Sequence, residues 1–187
     1  TELVAALVGA GVRAVGLTGV DAAFGRATRT AAHRSTSGTV VDLGLVGDPV
    51  DAEPGLIRLL IGGGYVPTIA SLGIDAASGG APAQVLNVNA DVMACRVAAA
   101  LGDCDLVIAG GTPGVLGDDG QSIPHLTIAG IDDVIARGTA TAGMVAKLSA
   151  CRTALDAGVA SVRLIDGRGL DGSRGVDAAP GTTVAKN

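Results

Sequence analysis

Short apolar runs that alternate with helical segments constrain the fold of this 187-residue chain more than any other feature. A continuous apolar run bounded by glycine, such as Asp105–Ala109, is typical of a parallel strand covered on both faces. The helical segments between such runs begin or end at proline or glycine, which stop a helix from continuing. The alternation predicts an α/β fold with a mainly parallel sheet.

Individual elements are predicted from the same patterns. Helices are expected over residues 2–9, 54–61, 90–101, 128–137 and 143–157. Strands are expected over residues 12–17, 65–70, 105–109, 161–165 and 182–185, with the second of these buried. A hairpin is expected from Arg29–Arg34 and Thr39–Val46, because Ser35-Thr36-Ser37-Gly38 between them has turn chemistry.

The composition indicates what fills the interior and which ligands are excluded. Aromatic residues make up 1% of the chain, with Phe24 and Tyr65 the only two, so Ala, Val, Leu and Ile must pack around glycine to form the core. Stacking platforms for single-stranded nucleic acid are missing, and the formal net charge of −5 repels a phosphate backbone. Nucleic-acid binding is therefore not expected.

The cysteines and the apolar runs predict the environment of the protein. Cys95, Cys104 and Cys151 lack the spacing of metal ligands or of a CxxC motif, so we expect reduced, buried thiols in a cytoplasmic protein, with metal binding as the alternative. No apolar run approaches the roughly 18 residues of a membrane span, and no basic signal region is present. The chain starts without Met in what is predicted to be a helix, so a preceding segment is expected.

Asn87, Asn89 and Asp91 form the first candidate site, at the start of a predicted helix. Alternate residues of an extended segment point the same way, so two amides and a carboxylate would face one ligand. The alternative is a turn followed by a capped helix, in which either Asn89 or Asp91 supplies the cap.

A glycine-rich loop, Gly110-Gly111-Thr112-Pro113-Gly114, follows the predicted strand Asp105–Ala109 and forms the second candidate site. Ligands of open α/β sheets bind beyond the carboxyl ends of strands, where glycines let backbone N–H groups approach phosphate or ribose. A dinucleotide-binding fingerprint is not predicted, because residues 115–120 have the pattern of a further turn and not of a helix. An ordinary β-turn is the alternative.

Lys147 is the third candidate and lies near the start of an otherwise apolar predicted helix. A lysine on a surface helix is normally solvated, and that is the default interpretation. The chain has only one other lysine, Lys186, among thirteen basic residues. Retention of a compact ammonium group at this place therefore indicates a specific use.

Taken in order, these segments resemble the acetylglutamate kinases of the amino-acid kinase family. The matching phrases cover nearly the whole chain: VGLTGVD (15–21), VDLGLVG (41–47), GYVPTIA (64–70), NVNAD (87–91), PGVL (113–116), GMVAK (143–147), IDGR (165–168) and GT (181–182). The resemblance implies a three-layer αβα sandwich, the amino-acid kinase fold, with its N-terminal part missing. It also implies one domain, in which residues 1–86 complete the substrate lobe and residues 87–187 form mainly the nucleotide-binding lobe.

The resemblance further implies ATP-dependent phosphorylation of the side-chain carboxylate of N-acetyl-L-glutamate in arginine biosynthesis, with ATP and Mg²⁺ as cofactors and a homo-oligomer at full length. Asn87 would bind the substrate, with Asn89 beside it. Asp91 would orient the catalytic lysines, and Lys147 would stabilise the transferring phosphoryl group. The nucleotide-binding residues would be Gly110, Gly111, Thr112, Pro113, Gly114, Val115, Leu116, Thr139, Ala140 and Thr141.

Two departures from the family pattern bear on activity. The family usually has a hydroxyl-bearing or similar residue and then Asp after the nucleotide-site strand, whereas Gly110-Gly111 offers no side-chain acceptor. The family's Lys-x-Gly-Gly strand, its second glycine loop and its substrate-gripping arginine are not found, so the 187-residue chain alone is expected to have little or no kinase activity. The alternatives are another amino-acid kinase, of the aspartate, glutamate or aminoadipate-carrier type, and a non-catalytic nucleotide-binding remnant.

Overall fold

The structure, a computed structural model, describes residues 1–31, 33–34, 40–77, 83–102, 104–138, 140–170 and 175–186. The chain divides into two compact units, Thr1–Leu101 and Gly102–Asn187. Within the described residues, no helix combines the length and apolar character needed to cross a membrane.

The first unit contains the first three predicted helices at the expected places. The helices are α1 (Glu2–Gly9), α2 (Gly55–Gly62) and α3 (Ala90–Leu101). The strands are β1 (Ala14–Thr18), β2 (Gly25–Arg29), β3 (His33–Arg34), β4 (Val40–Val41), β5 (Val46–Ala52), β6 (Val66–Ala70), β7 (Leu72–Asp75) and β8 (Val85–Val88). Pro54 caps the start of α2, and Gly64 just beyond its end has a φ of +76°, as the proline and the glycines predicted.

The strands of the first unit form two main groups. β1 and β6 pair in parallel, whereas β2, β5, β8 and β7 close into a small barrel. Ala27, Leu86, Val88 and Met93 pack together as one buried cluster, which joins strands of this barrel to α3. No strand was predicted where β7 and β8 lie, in a part of the chain rich in glycine, alanine and serine. Pairing with β2 and β5 imposes the extended conformation there.

The predicted hairpin is confirmed only in part. Its strands were predicted over residues 29–34 and 39–46, whereas the observed strands are only two residues long, and Arg29 and Val46 belong to β2 and β5. β3 pairs antiparallel with β4 through His33↔Val41 and Arg34↔Val40. The predicted turn, residues 35–38, lies outside the described residues. β2 and β5, on either side of this hairpin in the sequence, form a longer antiparallel pairing.

The strand predicted over residues 65–70 is present as β6, but its predicted burial is wrong. Tyr65 is 39% exposed and Val66 46% exposed. In the described part of the chain, β6 pairs only with β1, so neighbouring strands cover only one of its edges. Arg13 lies over the Tyr65 ring, 4.1 Å from its centroid, and shields part of it through a cation–π contact.

The second unit places a mixed sheet against two helices. Its elements are β9 (Asp105–Gly110), β10 (His125–Thr127), α4 (Ile128–Ala136), α5 (Ala142–Asp156), β11 (Ser161–Asp166) and β12 (Gly181–Ala185). The strand order is β10-β12-β11-β9, with β11 and β12 antiparallel and the other two pairings parallel. This agrees with a mainly parallel sheet. The buried core includes Ile131, Leu148, Leu155, Val162 and Val184.

Two predictions about the start of this unit have different outcomes. β9 is not covered on both faces, since Val107 is 39% exposed while its neighbour Ile108 is 5% exposed. The segment after the glycine-rich loop is a turn, as predicted, with a bridge between Leu116 and Ser122 and a hydrogen bond from the Gly117 N–H to the Gln121 carbonyl. No helix opens there, so the second unit lacks the geometry of a dinucleotide-binding fingerprint at this loop.

Candidate active site

The glycine loop, defined as residues 110–116, leaves the carboxyl end of β9 on a course that hydrogen bonds fix. The Val115 N–H donates to Thr182 Oγ1 at 2.8 Å, and Thr182 is fully buried on β12. The Ser122 hydroxyl donates to the Pro113 carbonyl. The loop is therefore attached both to the central strand beside it and to the turn that follows it.

Gly114 cannot be replaced by a larger residue without moving this loop. Its φ of +93° lies in a region that L side chains rarely adopt. A Cβ at this position would lie 2.4 Å from Thr182 Oγ1 and 2.6 Å from the Thr182 backbone nitrogen. The glycine loop thus approaches β12 more closely than any side chain would permit.

Lys147 lies in the second turn of α5, directly beside the start of the glycine loop. The helix is capped by Thr141, whose hydroxyl accepts a hydrogen bond from the Met144 N–H at 3.4 Å. Lys147 is half-buried, and its ammonium nitrogen lies 4.0 Å from the point that a Cβ on Gly110 would occupy. The positive charge is therefore held next to Gly110, at the carboxyl end of β9.

Two recesses border the glycine loop. The smaller one, about 10 Å³, lies beside Gly110, Thr112 and Lys147 and has room for about one water molecule. The larger one, about 100 Å³, is lined by Thr112, Gly114, Val115, Leu116, Ala140, Thr141 and Met144. Typical small-molecule sites measure about 300–1,000 Å³, so this recess matches only part of a nucleotide. Thr139 lies outside the described residues.

The Asn87, Asn89 and Asp91 group straddles the junction between β8 and α3 in the first unit. Asn87 is exposed in β8, and Asn89 caps α3 by accepting a hydrogen bond from the Val92 N–H at 3.1 Å. The extended conformation ends at Asn89, so the predicted alternation does not reach Asp91, which lies in the first helical turn. Helix formation from Ala90 onward overrides the alternation.

Asp91 is half-buried at the amino end of α3, where the helix dipole favours a negative charge. Its carboxylate also acts on Cys95, one helical turn away. Burial raises the pKa of the Cys95 thiol to about 11, and the negative charge of Asp91 adds to this shift. Cys95 and Cys151 are buried as predicted, whereas Cys104 is only half-buried.

A larger cavity, about 750 Å³, lies in the first unit, and none of these residues lines it. It is lined mainly by apolar residues of α1, β1 and β6, together with Thr18 and Asp21. Asp21 accepts hydrogen bonds from the backbone N–H and the hydroxyl of Thr18, which lower its pKa. The cavity has few polar groups and contains none of the residues that the sequence predicted for the site.

Residues 1–166 match the amino acid kinase family. The chain belongs to the amino acid kinase family. Acetylglutamate kinase from Aromatoleum aromaticum is 40% identical over 169 residues, which cover 89% of this chain and 55% of that relative. The chain therefore spans about half the length of the curated relatives it matches.

Solved structures share the fold of this chain. The protein smu.665 from Streptococcus mutans matches with a TM-score of 0.75 at 25% identity, over 98% of this chain and 65% of that one. Giardia carbamate kinase matches with a TM-score of 0.69 at 14% identity, over 98% of this chain and 67% of that one. At such identity the second likeness shows the fold alone. The α/β amino-acid kinase fold predicted from the sequence is confirmed.

Within this member of the amino acid kinase family, the predicted site residues are distributed over both units. Asn87, Asn89 and Asp91 belong to the first unit, whereas the glycine loop and Lys147 belong to the second. The structure brings Lys147 to Gly110, and it brings Ala140 and Thr141 to the recess beside the loop. That Asp91 and Lys147 act on the same phosphate remains a prediction.

Asp166 and Arg168 were not predicted to belong to the candidate site, although IDGR was one of the matching phrases. Arg168 Nε donates to Asp166 Oδ1 at 3.0 Å and its Nη2 donates to Asp166 Oδ2 at 2.8 Å. The same Nη2 donates to the Gly111 carbonyl at 2.6 Å. These side-chain hydrogen bonds lower the pKa of Asp166 to about 2. The sequence signal that could have indicated this pair is the Asp-x-Arg spacing at the end of a predicted strand.

Proposed function

We propose that this chain is part of an acetylglutamate kinase, which uses ATP to phosphorylate the side-chain carboxylate of N-acetyl-L-glutamate in arginine biosynthesis. Acetylglutamate kinases are 40% identical to most of this chain, which supports the assignment. The observation that carries it is the ammonium group of Lys147 beside Gly110, where the glycine loop begins. A cytoplasmic, homo-oligomeric enzyme is part of the same proposal.

The proposed reaction joins a carboxylate oxygen of acetylglutamate to the γ-phosphorus of ATP. The bond from that phosphorus to the bridging oxygen of the β-phosphate breaks, and ADP leaves. The attacking carboxylate is already ionised at neutral pH, so no general base is required. The reaction instead needs positive charge and alignment at the transferring group.

The second unit has groups suited to both needs. The Lys147 ammonium supplies positive charge close to the end of β9. Backbone N–H groups of a glycine loop and of the α5 amino end suit the binding of phosphate. We assign the adjoining part of the nucleotide to the larger recess beside the glycine loop, which Ala140 and Thr141 also line.

The acceptor side of the reaction is assigned to the first unit. Asn87 is exposed at the carboxyl end of β8, where its amide is accessible to a ligand such as acetylglutamate. Asn89 lies beside it, but its side-chain oxygen is already used as the cap of α3, which leaves its NH₂ group for the substrate. Asp91 is assigned to orienting the ammonium groups that contact the phosphate.

A magnesium ion that would arrive with the nucleotide is part of the same proposal. Mg²⁺ is usually held by substrate phosphates, water and one or two carboxylates, and it neutralises phosphate charge when bound. In the described residues, no group of three or more His, Cys, Asp or Glu side chains could hold a metal by itself. The nucleotide phosphates and water would therefore be the main ligands of Mg²⁺.

Calorimetry with Mg-ATP tests the assignment of Lys147 on the chain as it stands. We expect Lys147→Ala to raise the Kd for Mg-ATP about tenfold, because a charge-assisted contact with phosphate is lost. The matched control is Lys186→Ala, which removes the other lysine of the chain at an exposed position. An equal response of the two variants, or none, would contradict the assigned role.

One observation favours a second candidate, a nucleotide-binding protein without kinase activity. Gly110 and Gly111 provide no side chain that could accept a hydrogen bond from the nucleotide or its waters. Such a protein would bind Mg-ATP without depending on Lys147, so the same titration separates the two candidates. Profiling of aspartate, glutamate and aminoadipate-type acceptors against acetylglutamate separates the alternative amino acid kinases.

A further inference from the structure

We propose that Arg168 is a positioning residue, which holds the Gly111 carbonyl and thereby sets the orientation of the glycine loop toward the nucleotide. This inference rests on the proposed function for its nucleotide, although the contact itself lies within the second unit. The Nη2 group of Arg168 donates to the Gly111 carbonyl oxygen at 2.6 Å, across 57 residues of sequence. This contact joins the turn after β11 to the start of the glycine loop.

The Arg168 guanidinium is itself held in place by Asp166. Two hydrogen bonds, from Nε and Nη2, reach the two carboxylate oxygens of Asp166, and the Arg168 N–H donates to Asp166 Oδ1 at 3.0 Å. Asp166 is the last residue of β11 and lies opposite Gly110 in the parallel pairing with β9. The sheet therefore fixes the carboxylate, the carboxylate fixes the guanidinium, and the guanidinium fixes the loop.

Holding one carbonyl orients the next backbone donor of the loop. In a trans peptide the C=O and the following N–H point in opposite directions. The bond to Arg168 turns the Gly111 carbonyl to one side, so the Thr112 N–H must face the other side. Thr112 lines both recesses beside the loop, including the one that contains Lys147. Arg168 thus decides how a donor next to the proposed phosphate site is presented.

The two glycines at the start of the loop explain why an anchoring contact from Arg168 is needed here. Gly110 and Gly111 have no side chains with which to anchor the strand end, and nothing lies within 4 Å of a Cβ built on Gly111. Glycine backbone is the most costly to order, so an external contact has the greatest effect at such a place. A planar guanidinium can bind a carboxylate with two donors and still reach a carbonyl, which an ammonium group cannot do in the same geometry.

The first measurement is hydrogen exchange of the loop without nucleotide. In Arg168→Gln we expect backbone N–H groups of residues 110–116 to exchange about tenfold faster, with α5 unchanged, because a charge-assisted hydrogen bond is lost. Arg168→Lys should not restore the slow exchange, since lysine keeps the positive charge but lacks the planar set of donors of a guanidinium. Unchanged exchange in Arg168→Gln, or full rescue by lysine, would overturn the proposal.

The second measurement is the Kd for Mg-ATP by calorimetry, with Arg163→Gln as the matched control. Arg163 lies on β11, the strand that precedes Arg168, and it also donates to backbone carbonyls, those of Asp177 and Ala179, but not to the glycine loop. We expect Arg168→Gln to raise the Kd about tenfold with little change in Tm, and Arg163→Gln to lower Tm with the Kd unchanged. A similar Kd for wild type and Arg168→Gln would overturn the proposal.

The two measurements separate this inference from the proposed function. A wild-type chain that binds no Mg-ATP, but whose loop exchange still depends on Arg168, would contradict the proposed function while supporting the positioning role. A chain that binds Mg-ATP with an affinity and a loop exchange independent of Arg168 would contradict the inference alone.

Discussion

Single residues fix the course of the glycine loop through close contacts rather than through burial of large side chains. Thr182 is fully buried, and its hydroxyl accepts the hydrogen bond from the Val115 N–H. Gly114 passes the same hydroxyl at a distance that leaves no room for a Cβ. A chain with 1% aromatic residues has few bulky side chains to set the distance between loops and strands. Close approach of the backbone sets this distance instead.

Gly114→Ala tests this close approach. We expect it to lower the free energy of unfolding by about 3 kcal/mol or more, because strain at a positive φ adds to the clash with Thr182. The control is Gly120→Ala, whose φ is +74° but whose Cβ would meet nothing within 4 Å. It should cost only about 1–2 kcal/mol. Equal losses in urea unfolding of the two variants would show that the contact with Thr182 does not matter.

At the scale of elements, capped helix ends place the candidate residues. Asn89, Thr127 and Thr141 cap α3, α4 and α5 with side-chain oxygens that accept backbone N–H groups. A cap decides where a helix starts, and therefore which way the residues of its first two turns point. The cap on α5 aligns Lys147 with Gly110, and the cap on α3 places Asp91 in its first turn.

Asn89→Ala and Asn87→Ala should separate structural from ligand-binding roles in the first unit. We expect Asn89→Ala to reduce stability by about 1 kcal/mol, because the cap of α3 is lost. Asn87→Ala should leave stability within about 0.5 kcal/mol, since this side chain is exposed on β8. Urea unfolding measures both changes. A larger loss for Asn87→Ala would mean that this amide has a structural role.

At the scale of the whole molecule, the charge available for catalysis is limited. The chain contains two lysines, Lys147 and Lys186, and only Lys147 lies beside the glycine loop. The chain also spans 55% of the acetylglutamate kinase from Aromatoleum aromaticum. Phosphoryl transfer depends on several positive groups that act together in the transition state, so one lysine supplies only part of the stabilisation.

We therefore expect the purified 187-residue chain to have little kinase activity. A missing donor that acts mainly in the transition state lowers the rate roughly 10²–10³-fold. An ATP-dependent hydroxamate assay with acetylglutamate measures this against a full-length acetylglutamate kinase at equal concentration. Turnover equal to that of the full-length enzyme would refute the expectation, and nucleotide binding by calorimetry would show that the chain is folded.

Much of the fold was predictable because it depends on local signals. The helix over residues 2–9 and the helix closed by Gly158 were predicted at their observed places, since apolar spacing and glycine stops act within a few residues. The composition also singled out Lys147, which the structure places beside Gly110, and its role in a site stays a prediction. The phrases shared with the family predicted the fold, and the match of residues 1–166 to the amino acid kinase family confirms it.

The errors fell where pairing between distant segments decides the structure. Strands β7, β8 and β10 have only three or four residues each, too few to show a strand pattern, so pairing with their partners decides that they are strands. Burial of β6 and β9 was overestimated for a related reason, since an apolar run cannot show how many neighbours its strand will have.

The sequence by itself determined the order of the helices, the family, and which side chains are available for phosphate chemistry. Only the tertiary structure decided that Arg168 meets Gly111, 57 residues away, and that Thr182 meets Val115, 67 residues away. Such contacts join segments that carry no local signal for each other. They form because the strands β9, β11 and β12 lie side by side in one sheet and bring the loops at their ends together.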